Sequence, residues 1–173
     1  GIVHCQITNP RILQGMKDQD LLAYIQPVFI DLDMNTVEPA IGAHRMDKVY
    51  AWKSMLDMGI HTSGGSDAPV VSFDAMENIY FAVTRKNISG QPQEGWIPSE
   101  KISVDEAVKL FTKNAAYASY TEDENGTIEV GKNADFVVLE KNIYEIDPDE
   151  IKATKVDMTV LGGEIVYERE VEE

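Results

Sequence analysis

The stretch Ile60-His61-Thr62-Ser63-Gly64-Gly65-Ser66-Asp67-Ala68-Pro69 joins a short strand-like run to two glycines, an aspartate and a proline. Glycine lets the backbone turn sharply where a strand ends, and proline restricts the exit from that turn. In an α/β barrel, the residues that carry out chemistry follow the carboxyl ends of parallel strands. Asp67 occupies such a position and is a candidate functional carboxylate. The local sequence by itself favours a simpler alternative, an aspartate that caps the following loop.

Strand-like and helical patterns alternate along residues 1 to about 120. The apolar pair Ile2-Val3 predicts a first strand, and Ala23 to Pro27 can supply a second one before the strand at 60–63. This alternation favours parallel βα units. The expected helices cover 10–16, a segment capped by Asp47 and ended by Gly59, a segment that begins after Asp74, and 103 to about 117. A long loop is expected from 28 to about 45, and the helical apolar residues Trp52, Met55, Met76 and Tyr80 are expected in the core.

The period changes after Glu122, where nearly every pattern becomes that of a strand. Apolar residues between glycines predict a strand over 126–131, and 135–139 has the composition of a buried strand. The runs 156–161 and 164–167 flank Gly162-Gly163, a pair typical of a hairpin turn. A small separate sheet is therefore predicted within 121–173, and the acidic tail at 168–173 is expected to be solvated.

Charge and composition argue against several classes of partner. The chain has 173 residues, with 15 Lys and Arg against 30 Asp and Glu, and a net charge of −15. An anionic surface repels phosphate backbones and anionic lipids, so binding to nucleic acid or to a membrane surface is not expected. No stretch approaches the roughly 20 apolar residues that span a bilayer.

The single cysteine, Cys5, leaves no internal disulfide framework and is compatible with a reducing compartment, so the cytoplasm is the expected location. The chain opens directly in strand-like sequence, without an initiating Met, a turn or a helix cap. That opening is what a fragment of a longer protein would show.

A second candidate, His4, follows the first predicted strand as Asp67 follows a later one. Imidazole nitrogen and carboxylate oxygen are ligands that Zn²⁺ accepts in catalytic sites. Taken alone, however, His4 is better explained as a strand-end histidine with ordinary hydrogen bonds. A packing role is favoured for His61, a solvated loop position for His44, and a buried small side chain for Cys5.

Six segments carry a resemblance that covers essentially the whole chain. They are Ile2-Val3-His4-Cys5-Gln6, Tyr24-Ile25-Gln26-Pro27-Val28, Gly65-Ser66-Asp67-Ala68-Pro69-Val70, Ala107-x-x-x-x-Thr112-x-Asn114-Ala115-Ala116, Gly126-x-Ile128-x-x-Gly131-Lys132-x-Ala134-Asp135-Phe136-Val137-Val138-Leu139 and Thr159-Val160-x-Gly162-Gly163-x-Ile165-Val166-Tyr167. In order and spacing, these segments resemble the amidohydrolase superfamily. The closest resemblance is to the amidohydrolase-3 group, the long-chain deacetylase and deformylase-like hydrolases.

The resemblance implies a fold and an activity. Residues 1–120 correspond to the last three βα units of a TIM-type (β/α)8 barrel, and 121–173 correspond to part of a small β-sandwich. Such enzymes use a metal-activated water to hydrolyse C–N bonds of the amide type, and zinc is their most frequent metal. We therefore expect a fragment of a metal-dependent amidohydrolase whose partner is a small-molecule, amide-type substrate.

The same resemblance implies roles for individual residues. His4 matches a histidine that binds metal at the end of the sixth barrel strand. Asp67 matches the eighth-strand aspartate, which binds metal and acts as general acid and base. Arg45 matches a possible substrate contact in the loop before the Trp helix. By the same analogy, Lys132 is a turn lysine and Asp135 is structural.

The superfamily's His-x-His pair, its bridging lysine and its fifth-strand histidine have no counterpart in the chain. Since a catalytic zinc usually takes three protein ligands, His4 and Asp67 are too few to hold it alone. Zinc or another divalent metal is expected in the complete enzyme, with none or weakly bound metal in this chain. The isolated chain is expected to be inactive and to self-associate. Two alternatives stay open: a non-catalytic remnant or interaction module, and a metal-independent α/β enzyme in which His4 and Asp67 act as acid and base.

Overall fold

Three short parallel strands form the sheet that carries both candidate residues. In the computed structural model, which describes residues 1–170, these strands are β1 (Ile2–Val3), β2 (Ala23–Ile25) and β3 (Thr62–Gly64). Their order is β1-β2-β3, with Ala23 paired to Ile2 on one side and to Thr62 on the other. All three carboxyl ends therefore point to one edge of the sheet. The predicted intervening strand at 23–27 is confirmed, and β3 begins two residues later than expected.

Helices connect the strands and follow the last of them. They are α1 (Pro10–Asp18), α2 (Phe29–Asp33), α3 (Val37–Ile41), α4 (Trp52–Asp57), α5 (Ala75–Thr84), α6 (Val104–Phe111) and α7 (Lys113–Ala118), with 3₁₀ segments at Ala43–Lys48, Pro98–Glu100 and Pro148–Ala153. Between residues 1 and 170, none of the helices is long and apolar enough to cross a bilayer.

Side-chain caps explain where three of the helices begin. Oδ1 of Asn9 accepts a hydrogen bond from the backbone of Ile12 at 2.9 Å, and Asp74 accepts from two backbone amides at the start of α5. Ser103 and Glu106 form the complete capping box that the sequence predicts for α6. Each cap satisfies amides that the first turn of a helix leaves without partners.

The core lies between the parallel sheet and its helices. The side chains predicted to be buried there are buried: Trp52 and Met55 from α4, and Met76 and Tyr80 from α5. Gly59 lies just beyond α4 with φ +75°, the left-handed conformation expected of a residue that ends a helix.

A second, antiparallel sheet follows α7. It contains β4 (Phe136–Leu139), β5 (Val156–Leu161) and β6 (Glu164–Glu168), in the order β4-β5-β6. The predicted hairpin between β5 and β6 is confirmed. The end of the acidic tail lies outside the described residues.

The strand predicted over 126–131 is wrong, because this segment forms turns instead. Ile128 and Val130 are 88% and 109% exposed, respectively. Lys132 holds the turn from inside, since its Nζ donates to the carbonyl of Glu122 and to Oγ1 of Thr127, each at 2.7 Å. Within residues 1–170, no strand pairs with this segment, so its backbone has no neighbouring strand with which to form sheet hydrogen bonds.

The single helix predicted from 103 to 117 is also wrong, since it breaks at Thr112 into α6 and α7. Thr112 has φ −124° and ψ −98°, and its hydroxyl donates to the carbonyl of Val108 at 2.9 Å. Beyond the break, the side-chain amide of Asn114 reaches the carbonyl of Thr62 in β3 at 2.9 Å. The interruption thus lets α7 contact the start of β3.

Asp47 does not cap α4, contrary to expectation. It lies in the 3₁₀ segment, and α4 begins at Trp52 without a side-chain cap. The backbone between the 3₁₀ segment and α4 pairs with the loop after β1. The amide of Tyr50 donates to the carbonyl of Gln6 at 2.7 Å, and Val49 forms a β-bridge with Ile7. The long loop predicted from 28 to about 45 instead contains α2 and α3, which are too short to show a periodic pattern.

Candidate active site at the carboxyl edge of the parallel sheet

The structure brings His4 and Asp67 to the same edge of the parallel sheet. His4 directly follows β1, Asp67 lies three residues beyond β3, and β2 runs between them. Both residues have left-handed backbones, with φ 70° at His4 and φ 62° at Asp67. Such a conformation costs about 1–3 kcal/mol at most non-glycine positions and is concentrated at functional sites, although histidine and aspartate adopt it more readily than most.

The ring of His4 is fixed by two neighbours. Its Nδ1 lies 2.8 Å from Oε1 of Gln26, and the ring packs against that of Phe29 with centroids 5.7 Å apart. Gln26 is buried and directly follows β2, as His4 follows β1. The sequence pattern places Gln26 within the second predicted strand, at 23–27, and assigns it no functional role. The available signal was its position, a polar side chain directly after a buried parallel strand.

Asp67 presents an unengaged carboxylate. The side chain is exposed, and within residues 1–170 no hydrogen bond or ion pair involves its oxygens, while its carbonyl accepts from the amide of Val70 at 2.9 Å. Asp74 shows the contrast, because its carboxylate accepts from the amides of Met76 and Glu77 at 2.8 and 3.2 Å. A carboxylate that capped the loop after β3 would show the Asp74 pattern, and that of Asp67 does not.

Helix α7 contacts the start of β3, and α6 contacts its carboxyl end. His61 stacks on Tyr117 with ring centroids 3.9 Å apart, and its Nε2 lies 3.2 Å from the carbonyl of Asn114, which supports the packing role predicted for it. A Cβ at Gly64 would lie 2.8 Å from the ring of Phe111, so the absence of a side chain lets α6 approach the turn that leads to Asp67.

Arg45 and His44 lie apart from this pair. Both are exposed on the 3₁₀ segment, and they line a cleft of about 320 Å³ whose other walls are Ile7, Thr8, Asn9, Ile12 and Asp47. Neither His4 nor Asp67 lines this cleft. The predicted substrate contact, Arg45, thus lines a cleft that neither residue of the candidate catalytic pair lines.

A buried polar network ties the loops of this edge together. The hydroxyl of Tyr50 donates to the carboxylate of Asp33, and Nε2 of Gln6 lies 2.7 Å from that hydroxyl and 2.9 Å from the same carboxylate. Burial, and then the hydrogen bond to Asp33, raises the pKa of Tyr50 well above its ordinary value. Gln6 is two residues beyond His4, so the network fixes the segment that carries the histidine. It was not predicted, because its members come from three separate segments of the chain, one of them the end of α2.

The buried guanidinium of Arg85 contacts the backbone of Tyr50, a member of this network. Arg85 is fully buried, and it donates to the carbonyls of Trp96 and Tyr50 at 2.6 and 2.9 Å. Its charge lies 4.5 Å from the centre of the Trp52 ring. Burial lowers the pKa of Arg85 to about 10. The cation thus stabilises the start of α4 without reaching the exposed edge.

Three other residues lie where a structural role requires them. Lys132 is occupied by the turn described above, and Oδ1 of Asp135 accepts from the amide of Gly162 at 2.7 Å. Cys5 is buried, and its thiol donates to the carbonyl of Ile2 at 3.2 Å.

The donor atoms at this edge fit part of a divalent metal site. Imidazole nitrogen and carboxylate oxygen are suitable ligands, and Asp67 has no competing partner within the described part of the chain. Across residues 1–170, however, no group of three or more His, Cys, Asp and Glu side chains is placed to hold a metal ion. His4 and Asp67 can therefore account for some of the ligands of a catalytic metal, and the others would have to come from outside these residues.

Comparison with known proteins identifies the family. The family model described as the amidohydrolase family matches residues 1–167. The chain belongs to the amidohydrolase family. It is 34% identical over 168 residues to YtcJ of Bacillus subtilis (strain 168), an alignment that covers 97% of this chain and 32% of YtcJ. It is 35% identical over 122 residues to the N-substituted formamide deformylase of Arthrobacter pascens, covering 70% of this chain and 22% of that enzyme.

Solved structures share the fold of this amidohydrolase chain. A metal-dependent hydrolase from Pyrococcus horikoshii OT3 aligns with a TM-score of 0.76 at 21% identity, over 85% of this chain and 30% of that one. The A. niger ochratoxinase aligns with a TM-score of 0.69 at 18% identity, over 98% of this chain and 38% of that one. The chain spans between 22% and 38% of the length of these four proteins.

Proposed function

We propose that this amidohydrolase chain contributes His4 and Asp67 to the active site of a metal-dependent hydrolase that cleaves an amide-type C–N bond. The observation that carries the proposal is the unengaged carboxylate of Asp67 at the sheet edge where His4 also emerges. Family membership supports the reaction class. In the complete enzyme, residues 1–120 would supply the last three βα units of a (β/α)8 barrel, and 121–173 part of a β-sandwich.

The two side chains have different tasks in this proposal. His4 and Asp67 would each hold a divalent cation, zinc in the first instance. The cation would lower the pKa of the attacking water towards about 7 and polarise the substrate carbonyl. Asp67 would also take a proton from the water and deliver it to the leaving nitrogen, a role that requires a carboxylate not already committed to the protein backbone.

The substrate class follows from the reaction and from relatives. The Arthrobacter pascens relative is named for deformylating N-substituted formamides, and we infer a small amide-type substrate for this chain as well. The guanidinium of Arg45 lines an exposed cleft together with His44 and Asp47, and we infer that it meets an acyl or carboxylate group of such a substrate.

We further infer that the isolated chain is inactive and binds zinc weakly, because it supplies two of the three protein ligands that a catalytic zinc usually takes. Apolar side chains are exposed on edge strands of both sheets, including Val3 at 58% and Ile165 at 57%. Unpaired strand edges and exposed apolar patches promote association, so self-association of the chain is expected.

Turnover of a panel of N-substituted formamides and N-acyl amines by the complete protein tests the proposal. Replacing Asp67 by Asn should lower kcat by at least about 10²- to 10⁴-fold, the usual contribution of general acid–base catalysis. Asp105→Asn is the matched control, because Asp105 is an exposed helix aspartate paired with Lys109, and it should keep wild-type turnover. A loss smaller than tenfold for Asp67→Asn, with the metal retained, would reduce Asp67 to a turn residue. Full activity after complete chelation would instead favour metal-independent acid–base chemistry.

A further inference from the structure

The contact between His4 and Gln26 bears on which ring nitrogen of the neutral histidine carries the proton. Nδ1 lies 2.8 Å from Oε1 of Gln26. An amide oxygen can only accept a hydrogen bond, so the neutral ring donates from Nδ1. Nε2 then keeps its lone pair. In neutral imidazole, the nitrogen without the proton is the one able to bind a divalent cation.

Burial of Gln26 and the packing of the residues that follow it restrict its side chain. The side chain is 7% exposed, and the residue directly follows β2. Two residues later, the amide of Val28 donates to Oδ1 of buried Asn78 at 3.1 Å, which ties the segment to α5. Phe29 begins α2 and covers the His4 ring from the side. The acceptor is therefore part of the packed structure, not a solvated side chain that samples many rotamers.

The histidine is held equally well from its own strand. The amide of His4 donates to the carbonyl of Tyr24 at 2.7 Å, which continues the pairing of β1 with β2 for one more residue. The left-handed backbone at His4 then turns the chain away from the sheet. In water, the neutral histidine side chain favours the proton on Nε2. The contact with Gln26 works against that preference.

We propose that Gln26 is a positioning residue: its amide oxygen holds the proton of neutral His4 on Nδ1 and so keeps Nε2 free to bind a divalent cation. The use of the free nitrogen rests on the proposed function, whereas the position of the proton does not. Metal-binding histidines commonly donate their second ring N–H to a protein acceptor, which fixes the ring and its tautomer. Gln26 supplies that acceptor from the neighbouring strand end.

The position of the proton can be measured without any metal. The chain is labelled with ¹⁵N-histidine and studied at about pH 8.5, two units above the ordinary histidine pKa. Long-range ¹H–¹⁵N correlations distinguish a protonated ring nitrogen from a bare one. His4 is assigned by its loss in His4→Asn, and His44 and His61 serve as internal references. Wild-type His4 should show a protonated Nδ1 and a bare Nε2.

Substitutions separate the amide oxygen from the bulk of the side chain. Gln26→Leu removes the acceptor and should move the proton largely to Nε2, while Gln26→Glu keeps an acceptor oxygen and should retain it on Nδ1. Gln14→Leu is the matched control, since Gln14 is exposed on α1 and its side-chain amide donates to Asp18 at 2.7 Å. Backbone ¹H–¹⁵N spectra establish that each variant is folded. The wild-type measurement decides the matter by itself if Gln26→Leu does not fold.

Zn²⁺ added to the same samples gives a second readout at the His4 signals. Loss of a hydrogen-bond partner behind a metal ligand usually costs about 10- to 100-fold in affinity, and that loss is expected for Gln26→Leu but not for Gln26→Glu. A wild-type proton on Nε2 would overturn the inference, as would a proton that stays on Nδ1 in Gln26→Leu. A proton that follows Gln26, with zinc affinity unchanged in His4→Asn, would uphold the positioning role and refute the metal role of His4 instead.

Discussion

The parallel and antiparallel sheets differ in how much of their apolar surface is covered. Ala23 and Ile25 of β2 are fully buried between the neighbouring strands and helices, whereas Phe136, Val137 and Val138 of β4 are between 39% and 51% exposed. Both regions have strand-like sequences, yet Ala23 and Ile25 belong to the buried core of residues 1–170, whereas Phe136, Val137 and Val138 do not. Apolar pattern alone therefore does not produce a core. The partner that covers the pattern decides whether a strand is buried, exposed or, as at 126–131, not formed.

The largest effect should follow from removing a buried ring in the parallel region. Trp52 is fully buried against Arg85, so Trp52→Ala should lower the free energy of unfolding by about 3–5 kcal/mol. Ile165→Ala, in half-exposed β6, should lower it by less than about 1 kcal/mol, because less apolar area leaves contact. Urea denaturation measures both. Equal losses would mean that the antiparallel sheet is covered in solution and that the comparison fails.

A smaller effect concerns pH and the buried Tyr50 network. The pKa of Tyr50 is raised in the folded chain, so above about pH 10 the unfolded chain loses this proton while the folded chain keeps it. The contribution of Tyr50 to stability is thus fully present below pH 10 and falls as pH rises, by about 1.4 kcal/mol per pH unit. The stability difference between wild type and Tyr50→Phe should narrow by about 1 kcal/mol between pH 10 and pH 11, because the unfolded tyrosine is already half ionised at pH 10.

Arg85 changes the free energy of unfolding in the opposite direction as pH rises, because its folded pKa of about 10 lies below its ordinary value. Its burial costs stability below pH 10, and that cost is relieved as pH rises. Comparing wild type with Tyr50→Phe leaves Arg85 in both proteins and so cancels most of its contribution. A pH-independent difference between the two would show that the Tyr50 hydroxyl is solvated.

The smallest change in stability is expected where a charge is added to the exposed sheet. Ile165→Lys on edge strand β6 should change the free energy of unfolding by no more than about 0.5 kcal/mol, as surface substitutions usually do. The same substitution should weaken self-association, because a lysine on an edge strand opposes pairing with another chain. Light scattering at micromolar concentration compares the masses, with Gln14→Lys at an exposed position of α1 as a control that adds a lysine outside both sheets. If the wild-type chain is a monomer, the exposed face of the antiparallel sheet does not drive self-association, and this prediction is wrong.

Sequence patterns located most of the fold because its local signals are strong. Asn9, Asp74 and the pair Ser103 and Glu106 begin helices where predicted, and Gly162-Gly163 turns the hairpin. The errors arise where distant contacts override local pattern. Tyr50 pairs with Gln6 instead of starting a helix after Asp47, and Asn114 reaches β3 only because the helix breaks at Thr112.

The sequence predicts which two residues, His4 and Asp67, belong to the candidate site, but not how their side chains are oriented and hydrogen-bonded. Strand-end reasoning located His4 and Asp67, and it could have located Gln26 by the same rule. It could not show that the carboxylate of Asp67 lacks a partner or that Gln26 faces Nδ1 of His4, since both depend on side-chain geometry. Arg45 was expected near substrate, and whether it contacts one remains a prediction.

Zinc affinity of the complete protein tests the central claim most directly, namely that His4 and Asp67 hold one cation together. Isothermal titration should show that His4→Ala and Asp67→Ala each weaken Zn²⁺ binding by at least the 10- to 100-fold typical of losing a hydrogen-bond partner behind a ligand. His44→Ala and Asp105→Ala, which remove the same side-chain types from exposed positions, should bind as wild type does. Unchanged affinity in both His4→Ala and Asp67→Ala would contradict the account.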